Sequence, residues 1–253
     1  MQHKFRTTIY ACFTGYIVQA IVNNFAPLLF LTFEKTYQIP LGQITMLITI
    51  NFGIQLCIDL LSAGFVDRIG YRASILIAHV FAALGLLGLA VLPELFPNAF
   101  AGLLTAVVIY AIGGGLIEVL ISPIMESCPT DNKEKAMSLL HSFYCWGHVA
   151  VVLISTLFFK VFGIEHWKVL TCLWVIVPVV NVFAFLKAPM APLVDIKAVE
   201  LALSYPAFTM AGMIIIPSAA TVAGPEPEIA AKKQATITHT RAIPLFLCPT
   251  NDL

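Results

Sequence analysis

A single acidic residue lies in one of the most apolar stretches of the chain. Glu118 follows three consecutive glycines (residues 113–115) and precedes the pair Ser122 and Pro123. An ionisable group is costly inside an apolar helix, so a functional role is the default hypothesis. A carboxyl group there accepts hydrogen bonds from polar solutes and exchanges protons. We therefore predict a functional Glu118. The alternative is a glutamate that hydrogen-bonds to a neighbouring helix for stability.

Two other apolar stretches carry side-chain amides at helical spacing. Gln19 and Asn23 are four residues apart, and Asn51, Gln55 and Asp59 repeat the same interval. Residues four apart share one face of a helix, so each set forms a polar stripe. Amides both donate to and accept from hydroxyl groups, which suits them to a sugar-binding cavity. The alternative for the amides is helix–helix association, and Asp59 is equally compatible with a structural position near the membrane interface.

A third set of polar side chains lies near the start of a later apolar stretch. His141, Cys145 and His148 fall at helical intervals of four and three, which places nitrogen and sulfur atoms along one face. Zinc and copper accept such ligands. Three ligands on one helix diverge, however, and the sequence shows no fourth. We therefore favour histidines that line a cavity, with His141 as a proton-exchanging group, and predict no metal.

The composition requires a membrane environment for these side chains. Of 253 residues, 59% are hydrophobic and only 11% are charged, and the mean hydropathy is +0.91. A water-soluble chain of this length cannot hide so much apolar surface. The formal net charge is zero, which argues against nucleic-acid binding. The six cysteines follow no disulfide or zinc pattern, and motifs of enzymes and cofactor sites are absent from the sequence.

Apolar stretches of about 20 residues predict the membrane spans. We expect an all-α membrane protein, a bundle of six transmembrane helices within residues 1–190. The predicted helices cover 8–33, 43–66, 73–95, 99–122, 137–162 and 166–186. Residues 191–253 contain one weaker apolar stretch, 201–223, interrupted by two prolines, followed by a polar stretch. We expect this segment to be a largely disordered, atypical tail that reflects truncation or a frameshift.

The distribution of lysine and arginine predicts the orientation in the membrane. Cations accumulate on the side that carries both ends of the six-helix unit, namely Lys4, Arg6, Arg68, Arg72, Lys133, Lys135 and Lys187. The opposite side offers Lys35, Lys160 and Lys168. Because cytoplasmic loops are enriched in these residues, both ends of the unit are expected in the cytoplasm. The cell membrane is the expected location.

The segment between the second and third predicted helices carries the most informative motif. Gly64, Asp67, Arg68, Gly70 and Arg72 form the pattern G-x-x-D-R-x-G-x-R. This pattern occupies the second loop in a series of membrane spans. It closely resembles the loop between helices 2 and 3 of the major facilitator superfamily of secondary transporters. The resemblance implies that the motif acts as a conformational switch that latches one half of the transporter to the other. It also implies that this chain is the amino-terminal half of a twelve-helix fold.

Two further stretches resemble one branch of that superfamily. Gly115, Glu118, Ser122 and Pro123 are similar to the pattern G-x-x-E-x-x-x-N-P in helix 4 of fucose-permease-like transporters, with serine in place of asparagine. The string H-S-F-x-x-x-G that begins at His141 resembles the start of helix 5 in the same branch. The resemblance implies sugar transport coupled to protons, in which the glutamate binds sugar or carries the proton.

These observations lead to one principal hypothesis and two alternatives. The chain is expected to form half of a secondary active transporter for a small solute, with a cavity lined by Gln19, Asn23, Asn51, Gln55 and Glu118. Such a half is expected to be inactive alone and to need a carboxy-terminal half or a second copy. One alternative is a self-sufficient six-helix carrier or channel that works as a homodimer. The other is a membrane-embedded metalloenzyme that uses Glu118 with the His141, Cys145 and His148 set.

Overall fold

The computed structural model describes residues 2–130 and 132–190. The predicted tail, including the stretch 201–223, therefore lies outside the described residues. Helices and a single 3₁₀ turn account for the regular structure of the described ranges, which contain no strand. The turn is Ile164–His166, and the helices are α1 Gln2–Leu28, α2 Phe30–Tyr37, α3 Leu41–Ile69, α4 Tyr71–Leu95, α5 Ala99–Ser127, α6 Lys133–Phe162 and α7 Trp167–Lys187.

Within the described ranges, the number of membrane spans agrees with the six predicted from the sequence. The five helices from α3 to α7 are each long and apolar enough to cross a membrane, and α1 with α2 makes a sixth span when the bent pair is taken as one. The prediction of an all-α, six-span membrane protein is thus confirmed.

The first span is broken. The sequence predicted one continuous helix over 8–33, whereas the structure bends by 46° between α1 and α2. Pro27 lies two residues before the break and has no N–H to donate to the carbonyl of Asn23, and its ring displaces that carbonyl. The chain then tightens, because the Leu29 N–H bonds to the carbonyl of Ala26 at 3.0 Å.

The junction between α3 and α4 is shorter than the predicted loop. A helix ending near residue 66 was expected, but α3 continues to Ile69 and α4 begins at Tyr71, so that one residue separates them. Gly70 has φ +89° and ψ 146°, a conformation that side chains other than glycine rarely adopt. Its N–H bonds to the carbonyl of Val66 at 2.8 Å, and its own carbonyl accepts from the Ser74 N–H at 3.0 Å. The glycine thus ends one helix and starts the next.

Two further helix ends extend beyond their predicted bounds. α5 continues to Ser127 rather than ending at residue 122, because Pro123 is accommodated inside the helix. α6 begins at Lys133 rather than at 137, since Asn132 caps it with a side-chain oxygen 2.8 Å from the Lys135 N–H.

Helix α5 lies at the centre of the bundle, where it packs against α1, α3 and α4. Successive residues of a helix point about 100° apart, so the three glycines at 113–115 face three different neighbours. A Cβ on Gly113 would lie 2.5 Å from the backbone nitrogen of Ala82 in α4. A Cβ on Gly114 would lie 3.0 Å from Val22 in α1, and one on Gly115 would lie 3.1 Å from the Cα of Gln55 in α3. The glycines let all three helices approach closely.

Candidate functional site

Glu118 and two amides meet where α1, α3 and α5 converge. Nε2 of Gln19 donates to Oε2 of Glu118 at 3.1 Å and to Oε1 of Gln55 at 3.2 Å. Gln19 therefore connects the acid on α5 to the polar stripe on α3. The close packing at the α5 glycines brings these three long side chains within reach of one another.

The remaining two amides extend the same network. Nε2 of Gln55 donates to Oδ1 of Asn23 at 2.8 Å and to Oδ1 of Asn51 at 3.0 Å. Nδ2 of Asn51 donates in turn to Oδ1 of Asn23 at 3.3 Å. The structure thus brings together the five residues proposed from sequence for the cavity: Gln19, Asn23, Asn51, Gln55 and Glu118. We call these five side chains the amide–acid network.

Burial separates the amides from the acid. Gln19, Gln55, Asn51 and Asn23 are 0, 3, 4 and 9% exposed, whereas the side chain of Glu118 is exposed. The amides mostly hydrogen-bond one another, as buried polar groups require. Glu118 is the member of the network that a molecule outside the six-helix unit would contact first.

Two tyrosine hydroxyls beside the network, those of Tyr16 and Tyr144, were not singled out from the sequence. The hydroxyls of Tyr16 and Ser122 lie 2.8 Å apart, and Nδ2 of Asn23 donates to the hydroxyl of Tyr144 at 3.4 Å. The rings of Tyr16 and Tyr144 have centroids 5.3 Å apart. A signal was present, because Tyr16, Gln19 and Asn23 follow one another at intervals of three and four and so share a helix face.

The three α6 residues considered as metal ligands take separate roles. His141 and Cys145 are exposed, and the ring of His141 lies 5.9 Å from that of Tyr16. Nδ1 of His148 lies 2.8 Å from Nδ2 of Asn24, and since an amide nitrogen only donates, His148 accepts there. Within the described ranges, no group of three or more potential ligands gathers in a way that could hold a metal.

The second acid of the polar stripes does not hydrogen-bond to Glu118. Oδ1 of Asp59 is buried without a hydrogen-bond partner among the described residues, and the backbone carbonyl of Asp59 accepts from Ser62 Oγ at 2.8 Å. Asp59 thus belongs to the α3 stripe by spacing but is not part of the hydrogen-bonded amides and acid described above.

The motif that begins at Gly64 lies at one end of the bundle, and Arg72 is its best-connected member. Its guanidinium donates to the carbonyls of Phe185, Leu186 and Ala188 at 3.1, 2.9 and 2.6 Å. These carbonyls belong to the end of α7, where a cation also complements the helix dipole. Thr8 reinforces the same corner by donating to the carbonyl of Pro189 at 2.6 Å.

The other members of the motif have fewer contacts. Arg68 is exposed in the last turn of α3, and the side chain of Asp67 lies outside the described part. A Cβ added to Gly64 would meet no atom within 4 Å. Among the described residues, no helix therefore packs closely against Gly64.

Comparison with known proteins identifies the family. A model of the Major Facilitator Superfamily matches residues 11–243. The chain belongs to this superfamily. Its members are transporters, so the chain belongs to a transporter family and not to an enzyme family, as the sequence analysis expected.

A solved structure agrees with this assignment. The inward-open conformation of the xylose transporter XylE from E. coli matches with a TM-score of 0.65 and 15% sequence identity, over 95% of this chain and 56% of XylE. At this identity the match establishes the fold. The chain therefore spans little more than half the length of that transporter. No curated protein matches the sequence.

Proposed function

We propose that this chain is the amino-terminal half of a secondary active transporter that moves a small polar solute across the membrane. The observation that carries the proposal is the exposed Glu118, held by Gln19 above a buried cluster of amides. An acid at this depth in a membrane protein is expected to face a solute or ion pathway. Membership of the superfamily supports the same function.

The favoured solute is a sugar, and the favoured coupling ion is the proton. Amides and hydroxyls, such as those of Tyr16 and Tyr144, suit a ligand with many hydroxyl groups. The resemblance of the Glu118 and His141 stretches to the fucose-permease-like branch points the same way, as does a structural neighbour named as a xylose transporter. Glu118 is the candidate proton carrier, with His141 as a second exchanging group.

The six-helix unit is proposed to need a partner. Superfamily transport sites lie between two halves that rock against each other, and a single six-helix unit supplies one wall. The open space around Gly64 is consistent with a helix from outside this unit packing there. We propose that a carboxy-terminal half completes the site, that both ends of the unit face the cytoplasm in the cell membrane, and that the motif from Gly64 to Arg72 acts as a conformational switch between halves.

The experiment has two steps. Sequencing the locus past the codon for Val194 and translating all frames is expected to reveal six further apolar spans. The chain is then reconstituted in liposomes, alone or with that second half, and uptake of a labelled sugar panel is measured under an imposed proton gradient. We expect uptake only with both halves. Uptake by the chain alone, together with a crosslinked dimer, would instead support the homodimeric carrier.

A further inference from the structure

Glu118 is anchored to the protein through one of its two oxygens. Among the described residues its carboxylate has one hydrogen-bond donor, Nε2 of Gln19, which bonds Oε2 at 3.1 Å. Oε1 has no protein donor there. We propose that Gln19 is a positioning residue, which fixes the Glu118 carboxylate by Oε2 so that Oε1 is presented to the solute. The solute part of this inference rests on the function proposed above.

The hydrogen bond from Gln19 to Glu118 determines how every amide group in the network is oriented. A carboxylate only accepts hydrogen bonds, so Gln19 must turn its nitrogen toward Glu118. The second hydrogen of that nitrogen reaches Oε1 of Gln55, which turns Nε2 of Gln55 toward Asn23 and Asn51. The buried amides are therefore oriented by the acid and hold it in return. This arrangement makes them a support for Glu118.

The hydrogen bonding of Gln19 differs from that expected of an amide with a purely structural role. It is fully buried, yet its Oε1 has no hydrogen-bond partner among the described residues. Turning the amide over would satisfy neither neighbour, because an oxygen would then face both Glu118 and the oxygen of Gln55. The side chain thus leaves its own acceptor unpaired while both of its amide hydrogens are used, one of them on the acid. An amide that only joined helices would be expected to use both of its polar atoms.

The space around Gln19 gives an independent way to disturb it. A Cβ on Gly114 would lie 3.1 Å from Oε1 of Gln19, 3.3 Å from Nε2 of Gln55 and 3.0 Å from Val22. The substitution Gly114→Ala would therefore push on Gln19 without removing any polar atom. Asn24 offers a matched control, since it is an amide on the same helix but bonds the carbonyl of Ala20 and His148 instead.

Infrared spectroscopy of the lipid-reconstituted chain tests the inference without any transport. The difference between wild type and Glu118→Gln isolates the carboxylate stretching bands of Glu118. In Gln19→Leu we expect these bands to shift toward those of a carboxylate without a hydrogen bond. Gly114→Ala should give a smaller shift in the same direction, and Asn24→Leu should give none.

Two results would overturn the inference. One is an unchanged Glu118 band in a helical, folded Gln19→Leu variant, and the other is an equal shift in Asn24→Leu. If Gln19→Leu does not fold, Gly114→Ala decides, and an unchanged band there contradicts the positioning role. If the band shifts as expected but the chain reconstituted with a carboxy-terminal half shows no uptake, the proposed function is overturned and the anchoring of Glu118 stands.

Discussion

Nδ2 of Asn181 lies 2.8 Å from Nε2 of His79, and both side chains are buried where α7 meets α4. Nδ1 of His79 lies 2.8 Å from the carbonyl of Ile75, so this nitrogen carries the hydrogen and Nε2 accepts from Asn181. The same Asn181 amide donates to the carbonyl of Ala11 in α1 at 3.0 Å. One asparagine therefore ties three helices together inside an apolar region.

Replacing Asn181 by leucine should destabilise the fold. The change leaves a buried imidazole nitrogen without its donor, which costs about 1–3 kcal/mol, and removes an additional bond to the Ala11 carbonyl. Thermal unfolding of the purified protein in detergent, followed by circular dichroism, should show a lower midpoint. The control is Val180→Leu, because Val180 is the exposed neighbour in the same helix. Equal midpoints for the two variants would contradict a stabilising role for Asn181.

A methyl group at Gly113 should be poorly tolerated. It would approach the backbone of α4, with Ala82 N at 2.5 Å and Ala78 O at 2.6 Å, and backbone atoms cannot move aside as a side chain can. Overpacking of this kind costs about 1–3 kcal/mol. Gly113→Ala is expected to lower the unfolding midpoint and Gly53→Ala is not, because a Cβ at Gly53 meets no atom within 4 Å. A neutral Gly113→Ala would show that α4 and α5 can separate at low cost.

Arg72→Gln should loosen the end of α7. The variant loses a cation that bonds three terminal carbonyls, an interaction worth about 1 kcal/mol. Hydrogen exchange measured by mass spectrometry should show faster exchange in the last turn of α7. The matched control is Arg68→Gln, since Arg68 is the exposed arginine of the same motif. Unaltered exchange at the end of α7 in Arg72→Gln would argue that the contact contributes little.

Cys128, just beyond the end of α5, should react slowly with alkylating reagents in the folded protein. Burial raises the pKa of its thiol from 9.0 to about 11, and the nearby charge of Lys133 lowers it in part. The thiolate is the reactive form, so at pH 8 alkylation of the folded chain should be slower than that of the denatured chain by about a hundredfold. Peptide mass spectrometry after timed iodoacetamide treatment measures both rates. Similar alkylation rates in the folded and denatured chain would mean that Cys128 is accessible to solvent at the end of α5.

The same shift predicts how stability changes with pH. The thiol is harder to ionise in the folded chain than in the unfolded chain, so its contribution is complete below about pH 9 and is lost as the pH rises toward 11. Cys128→Ser is expected to reduce this part of the alkaline loss. An identical decline of the unfolding midpoint in that variant would assign the loss to other groups.

Helical spacing carried much of the network prediction. Intervals of four predicted the polar stripes of α1 and α3, and a lone acid identified Glu118, because faces and periodicity are local properties of a helix. The spacing did not determine that the stripes would meet. That depends on how closely α5 approaches α1 and α3, which the glycines at 114 and 115 set in three dimensions. Burial of the amides and exposure of the acid follow from the same packing.

Other features depend on partners distant in sequence. The Arg72 guanidinium reaches carbonyls 113 to 116 residues away, and a loop motif alone gives no indication of them. His79 and Asn181 are each a polar residue within an apolar stretch. This pattern predicts that each has a polar partner, but it does not predict that they contact each other. The break at Leu29 could have been predicted from the sequence, because Pro27 lies inside the predicted first helix.

The role of Glu118 is tested most directly by comparing two transport modes in the assembled transporter. Accumulation of labelled sugar driven by a proton gradient is measured beside equilibrium exchange, for wild type, Glu118→Gln and the control Glu126→Gln, which changes an acid in the last turn of α5. We expect Glu118→Gln to lose accumulation but to keep some exchange, because glutamine retains hydrogen-bonding groups and cannot carry the proton. Glu126→Gln should keep both. Wild-type accumulation by Glu118→Gln would contradict the central role assigned to this carboxylate.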